Sequence, residues 1–346
     1  MVVKHVSFLF SEMTGVKEKL LQFREACSYE FPSCNVETFD WSLNLKFWRI
    51  FKGLNRGFFL PWLKTDILIL RHNFFDPSII LCFLIRKLIG HQNYLEHHSD
   101  HIAELHLRGF WGSVLGRFET LCCFAFGGLV DRHICVSESI MSIQKQYFMR
   151  GRFEVVENGY SRPVGFQGAI SSKPRKRQDK ITLVFVAAKF SPWHGLDKLN
   201  ALADIDPSFI ENFSVILVGD TTNLTVNPHF VIKGVMSPND TNRIVQTAEM
   251  CVDSLNLSIL DLNDSSSLKS RLYVAFGKPI LGEFVAVEGY EDFTYALKVE
   301  VGFGQKLFDW YSRLDQFELK AASEKLYQNR ISWRAVVRKL KNITEE

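Results

Sequence analysis

The sequence lacks most of the usual signposts. It has no CxxC pair and no Cys/His spacing of a zinc site. Its seven cysteines (Cys27, Cys34, Cys82, Cys122, Cys123, Cys135 and Cys251) are odd in number and scattered. That usage argues against a disulfide framework and reads as buried thiols in a reducing compartment. The longest apolar stretch, Ser78–Ile85, is far short of the ~20 residues of a membrane span. The opening MVVKHVSFLFSEMTG holds one lysine and a short apolar run, without a signal-peptide core or small-residue cleavage site, and reads as a first strand. A cytoplasmic location is therefore expected. The net charge of +3, from 41 basic and 38 acidic residues, is too near neutral to point to nucleic acid. The one basic run, PRKR at 174–177, has no aromatic-rich sheet motif beside it, so no nucleic-acid partner is expected. GxGxxG and GxxxxGK[ST] are both missing, which removes the dinucleotide and Walker fingerprints. No repeat of solenoid length is present.

What is present is phenylalanine, 30 residues against 9 Tyr and 7 Trp. So many rings imply large cores or rings facing something other than water. At 346 residues, 47% hydrophobic and 23% charged, the chain has the length and composition of two ordinary globular domains. Strand-like runs lie at 2–10, 66–71, 91–96, 132–137 and 153–157, and a second series at 181–188, 214–219, 229–233, 250–253 and 278–282. Helical patterns fall between them near 15–30, 77–90, 138–150, 195–203, 239–248 and 266–276. Strands apolar on both faces that alternate with helices imply parallel sheets covered on both sides. Ser137 and Ser237-Pro238 read as helix starts. The polar, basic segment 171–180 is the best boundary and reads as a solvated linker. Domains are thus expected at 1–170 and 181–330. A last helix at 331–346 carries Trp333, Val336, Val337 and Leu340 on one face, a stripe suited to packing across a domain interface.

Open parallel sheets bind ligands beyond the carboxyl ends of their strands, with phosphate at helix N-termini. After the first strand, Gly15 either lets the backbone approach a ligand or forms an ordinary turn. After the first strand of the second series comes Lys189-Phe190-Ser191-Pro192-Trp193-His194-Gly195. Further on, Asp264-Ser265-Ser266-Ser267-Leu268-Lys269 opens a helix with hydroxyls, backbone N–H groups and a cation, a set suited to a diphosphate.

These segments, in order, resemble retaining nucleotide-sugar glycosyltransferases of the GT-B fold, in the large family 4 group. The resemblance rests on Ile134-Cys135-Val136-Ser137-Glu138-Ser139, Val155-Val156-Glu157-Asn158-Gly159-Tyr160, Trp193-His194-Gly195-Leu196-Asp197-Lys198-Leu199, Ile216-Leu217-Val218-Gly219-Asp220 and Gly277-Lys278-Pro279. It covers most of the chain and implies two Rossmann-like doubly wound domains facing each other across a cleft. Lys189 falls where the family often has an arginine reaching the donor diphosphate. His194 falls where many members have a lysine, and is otherwise a surface loop histidine. Ser266, Ser267 and Lys269 match the phosphate-cradling helix start. The family has two glutamates here; this chain has Asp264 and Leu272. Leu272 replaces the residue implied to hold the nucleotide ribose, which puts that contact in doubt.

In the first domain, Glu96-His97-His98-Ser99-Asp100-His101 has the residue types of a metal cluster. It follows a strand, so successive side chains point in different directions, and no second ligand group has metal spacing. No metal is expected there. The resemblance implies that a histidine or acid of this loop faces the donor sugar, with Glu96 and His98 as catalytic candidates. It implies transfer of a sugar from a UDP- or GDP-linked donor without a metal or other cofactor. Residues 41–64 hold Lys46, Arg49, Lys52, Arg56 and Lys64, no acid, and Phe47, Ile50, Phe51, Leu54 and Phe58 at helical spacing, flanked by Trp41, Trp48, Phe59 and Trp62. This suits either an anionic membrane surface, at the inner face of the plasma membrane, or a core helix with a solvated basic face. A glycan or lipid-linked acceptor, as in surface polysaccharide biosynthesis, is the matching expectation. A non-catalytic GT-B protein that binds glycans and a GT-B sugar-nucleotide epimerase are the rival readings.

Overall fold

The structure, a computed structural model, describes residues 1–9, 14–40, 62–72, 77–106, 109–163, 180–264, 266–285 and 287–346. The chain forms two compact units, Met1–Glu157 with Val336–Glu346, and Asn158–Ala335. The expected linker, apart from Lys180, lies outside the described residues, as do 41–61, Ser11–Met13 and Ser265.

The first unit is built on β1 (Val3–Leu9), β2 (Cys34–Asp40), β3 (Ile67–Arg71), β4 (Gln92–His97), β5 (Arg132–Cys135) and β6 (Arg152–Val155). They form one parallel sheet in the order β2-β1-β3-β4-β5-β6. The second unit holds β7 (Ile181–Lys189), β8 (Phe213–Asp220), β9 (Val231–Gly234), β10 (Met250–Val252), β11 (Ile280–Gly282) and β12 (Thr294–Ala296). Its parallel order is β12-β11-β10-β7-β8-β9. Both are doubly wound sheets. The order reverses between β1 and β3 in the first and between β7 and β10 in the second. Such a switch point opens a crevice at the carboxyl ends of the strands.

The central strands are apolar on both faces because helices cover both. Ile67 through Leu70 are at most 2% exposed, and Leu183, Val184 and Phe185 are fully buried. Much of the phenylalanine surplus goes inward: Phe31, Phe83, Phe148, Phe185 and Phe209 are among the largest fully buried side chains. Other large apolar side chains face outward on the helix Gly109–Phe126, where Phe110, Trp111, Leu121 and Phe124 are each more than 60% exposed. Among the described residues no helix is long and apolar enough to cross a membrane.

Local chemistry sets the helix ends. Ser137 caps Glu138–Tyr147 by accepting from Ile140 N–H, and Ser237 caps Pro238–Thr247 by accepting from Asp240 N–H, with proline in the first position. The final helix, Trp333–Glu345, buries its expected stripe of Trp333, Val336, Val337 and Leu340. All seven cysteines are buried thiols. Gly219, at φ +135°, is required where β8 runs closest to β7: a Cβ there would lie 1.6 Å from the Ala187 carbonyl oxygen.

Candidate functional site

The second unit gathers the residues suited to a diphosphate at its switch point. The strand β7 ends at Lys189, an exposed cation. The 3-10 turn Pro192–His194 follows and is closed by Gly195 in the left-handed conformation, at φ +71°. In that turn Ser191 N–H donates to His194 Nδ1 at 2.9 Å. The remaining proton of a neutral ring therefore sits on Nε2, which makes Nε2–H a donor. Burial and the nearby charge of Lys269 push His194 down to about 3, so the ring is neutral across the physiological range.

Lys269 comes from the other side of the crevice, as the second residue of the helix Leu268–Ala275. Its Nζ donates to Ser254 Oγ at 2.8 Å and lies 3.5 Å from Asp253 Oδ1, just beyond β10. It also sits over the Phe185 ring, 5.3 Å from its centroid. Burial lowers its pKa against the opposing pull of Asp253. Asp253 is held by Ser254 N–H at 2.7 Å and by the Ser270 hydroxyl at 2.5 Å. Ser267 caps the helix through Ser270 N–H and also reaches Asp253, at 3.4 Å.

The structure thus brings His194, Ser267 and Lys269 into one neighbourhood. Ser266 does something else: its hydroxyl accepts from Asn158 N–H at 3.0 Å and from Arg271 at 3.1 Å, and its carbonyl accepts from Asn158 Nδ2. It ties the start of the unit to the helix. Asp264 is half-buried just ahead of this start. Leu272 is 6% exposed and packs in the core with Val184, Val218 and Tyr273. Asp204-Ile205-Asp206, a D-x-D run, serves structure: Asp206 caps Pro207–Asn212, and Asp204 accepts from Asn227.

The first unit holds a different constellation. Strand alternation sends Tyr94, Glu96 and His98 to one face of β4 and Leu95 and His97 to the other. On the first face Glu96 Oε2 lies 3.0 Å from Nε2 of both His5 and His98. Lys19, on the helix Thr14–Glu30, donates to His98 Nδ1 at 3.1 Å. Burial alone would raise Glu96; the imidazoles of His98 and His5 beside it reverse the sign and hold it well below the usual carboxylate range. Burial, with Arg71 and Lys19 nearby, pushes His98 down to about 3. Burial and Arg71 bring Lys19 to about 7. The result is an ionised carboxylate against a neutral imidazole, 18% and 11% exposed. Gly15 stands in the first turn of the Lys19 helix.

On the opposite face His97 Nε2 lies 3.0 Å from His133 Nδ1, and His72 and His101 converge on Glu119. The sequence reading separated these histidines from any partner, because His72 and Glu119 are far from the histidine run in the chain. It also missed His5, Lys19 and Arg71, and Asp253, Ser254 and Ser270. For Asp253-Ser254 a signal existed: they follow a short buried strand of a parallel sheet. Trp62, read as one of the rings beside the basic stretch, is fully buried in the core with Leu68, Leu70 and Phe83.

No protein-family model matches the chain, and no curated protein matches it in sequence. Its fold, however, is that of known structures. Sucrose-phosphate synthase (tll1590) from Thermosynechococcus elongatus superposes with a TM-score of 0.63 at 12% identity, over 100% of this chain and 98% of that one. Anabaena Alr3699/HepE, in complex with UDP and glucose, gives 0.59 at 14% identity over 99% of both chains. The GtfA/B complex gives 0.53 at 15% identity, and there this chain spans 57% of the other's length. A Listeria monocytogenes protein assigned as a UDP-N-acetylglucosamine 2-epimerase gives 0.50 at 12% identity. The chain therefore has the GT-B fold of two Rossmann-like units.

Proposed function

We propose that the protein is a retaining glycosyltransferase that moves a sugar from a nucleoside-diphosphate donor to a glycan or lipid-linked acceptor. One observation carries this reading: a cation, a neutral imidazole donor and a capped helix start meet at the switch point of the second unit. The leaving diphosphate gains charge as its bond to the sugar breaks. Lys269, His194 Nε2–H and the N–H groups at the start of Leu268–Ala275 would stabilise that charge, with Lys189 as an outer cation. No step of this chemistry calls for a metal at the diphosphate. Asp253 and the three hydroxyls around it fix the lysine. In the first unit Glu96 and His98 serve the sugar. An ionised carboxylate beside a neutral imidazole suits the positive charge that develops on a sugar ring, rather than proton donation.

Two rivals are weighed by two experiments. Leu272 favours a protein of this fold without turnover, since it stands where the resemblance implies a ribose-holding acid. The epimerase reading has the same nucleotide demand and no acceptor. Thermal unfolding with UDP, GDP, ADP and CMP tests donor binding, and turnover without an acceptor tests the epimerase. A shift with one nucleoside diphosphate, lost in Lys269→Met, supports donor binding and names its class. No shift with any of them removes the transferase. Interconversion of a free sugar nucleotide without acceptor would establish the epimerase instead. The acceptor side would include contact with an anionic membrane through residues 41–64, and the exposed rings of Gly109–Phe126 are in keeping with it. Lys46→Glu with Arg49→Glu should then weaken sedimentation with anionic vesicles; unchanged sedimentation removes that contact.

A further inference from the structure

We propose that His72, His101 and Glu119 bind a zinc ion that pins together three segments of the first unit. His72 follows β3, His101 opens the short helix His101–His106, and Glu119 lies in the middle of Gly109–Phe126. Their ligand atoms lie within 4.8 Å of one another. His72 Nε2 and His101 Nε2 both aim at the same oxygen, Glu119 Oε1, at 3.0 and 3.4 Å. Zinc bonds of ~2.0–2.2 Å arranged tetrahedrally separate neighbouring ligand atoms by ~3.3–3.6 Å, so a modest adjustment admits the ion. The rings stand nearly perpendicular, 79° apart with centroids at 4.3 Å. The side chains of His72 and Glu119 are 2% and 0% exposed, while that of His101 is 12% exposed and marks the open side. Two imidazoles and one carboxylate with a fourth position left for water is a recurrent zinc donor set. Cys123 lies beyond the triad, its thiol 3.8 Å from Glu119 Oε1.

The bond network has a use for such a clamp. The helices His101–His106 and Gly109–Phe126 meet closely, with a Cβ at Gly116 falling 2.9 Å from His106 Nε2. The loop that carries His98 runs directly into the first of them, His98 being only three residues before His101. A zinc ion at the triad would fix that loop from the opposite face of β4, independently of any nucleotide in the second unit.

The chain as purified, passed through chelator-treated buffer, is assayed for metals by mass spectrometry and for its unfolding midpoint. The expected result is one zinc per chain, a midpoint lowered by 1,10-phenanthroline, and recovery on adding zinc alone. His101→Ala and Glu119→Gln should each weaken zinc binding at least about tenfold. Cobalt substitution should give a spectrum without thiolate charge transfer. The proposal is overturned if the wild-type chain holds no zinc and zinc does not move its midpoint. It is equally overturned if both variants retain zinc as tightly as wild type, which would place the ion elsewhere. Should the variants fail to fold, the cobalt spectrum of the wild type decides: thiolate charge transfer would place the ion at cysteines and overturn the proposal.

Discussion

Replacing Lys269 by methionine tests the proposed diphosphate site most directly, because its expected effects on folding and on binding can be read apart. The Lys269 side chain is 10% exposed and the facing Asp253 side chain 3%. Removing the cation leaves Asp253 buried without it, a loss that in general costs about 3–5 kcal/mol. Here Asp253 keeps Ser254 N–H and the Ser270 hydroxyl, so the lower end of that range is expected. Adding Asp253→Asn removes the stranded charge and should restore most of the stability. Binding behaves otherwise. UDP at about 100 times its dissociation constant stabilises the wild type by ~2.7 kcal/mol, or roughly 5–11 °C for a unit of about 180 residues. A charged hydrogen bond to phosphate contributes about 1.5–3 kcal/mol, so Lys269→Met should weaken UDP roughly 10–150-fold. The same UDP concentration would then yield only about 1–6 °C. Differential scanning fluorimetry over a UDP series reads both quantities. The reasoning fails if Lys269→Met keeps the wild-type shift. It fails equally if Asp253→Asn with Lys269→Met recovers UDP affinity along with stability, since the lysine would then have been structural.

The remaining predictions concern the groups around that site and the opposite unit. His194 titrates at about 3 when folded and near 6.5 when unfolded, so the unfolded chain takes up its proton first as pH falls. Its share of stability is complete above ~6.5 and falls by about 1.4 kcal/mol per pH unit below that; His194→Gln should flatten urea-midpoint loss between pH 7 and 5, and equal slopes would refute the neutral ring. Lys19 titrates at about 7 folded against ~10.5 unfolded. Its burial thus costs most below pH 7 and is relieved toward pH 10, and Lys19→Met should raise the unfolding midpoint at pH 7 with the gain shrinking as pH rises. Leu272→Glu introduces the acid that the sequence resemblance implies at a site 6% exposed within the core; it should lower the stability by several kcal/mol without improving UDP binding, and tighter UDP binding would show that only this acid was missing. Gly219→Ala meets the Ala187 carbonyl at 1.6 Å, and should leave the chain insoluble or more than about 4 kcal/mol less stable on denaturant titration.

The fold was largely legible because its central strands are apolar on both faces and long enough to stand out from the helices. The two strands absent from the reading have physical reasons to be faint. β2, Cys34–Asp40, lies at the sheet edge, buries Cys34 and Val36, and leaves Asn35 exposed. β12 has three residues, half-exposed or open. Among helices, His101–His106 and Pro207–Asn212 are too short to show a period, and Gly109–Phe126 hides its period because its outer face is as apolar as its inner one.

The site was legible only where its residues are neighbours in sequence. His194 and Lys269 could be named from loops after strands, but not their meeting across 75 positions, nor that Asp253 would fix the lysine. The histidine run after β4 makes the same point more sharply. Glu96 and His98 were read together and do meet; His101, three residues further, leaves them and meets His72 and Glu119 instead. Alternation along β4 sends Glu96 and His97 to opposite faces of the sheet, whereas the helix that His101 opens carries it to His72 and Glu119. His5 of β1 and Lys19 complete the cluster on one face, and His72 after β3 meets His101 and Glu119 of two helices on the other; no spacing rule within a single segment could have supplied them. A run of ligand-type residues leaving a buried parallel strand is therefore better read as two half-sites than as one weak motif, and the residues to seek are those that other strands place on each face at the same height.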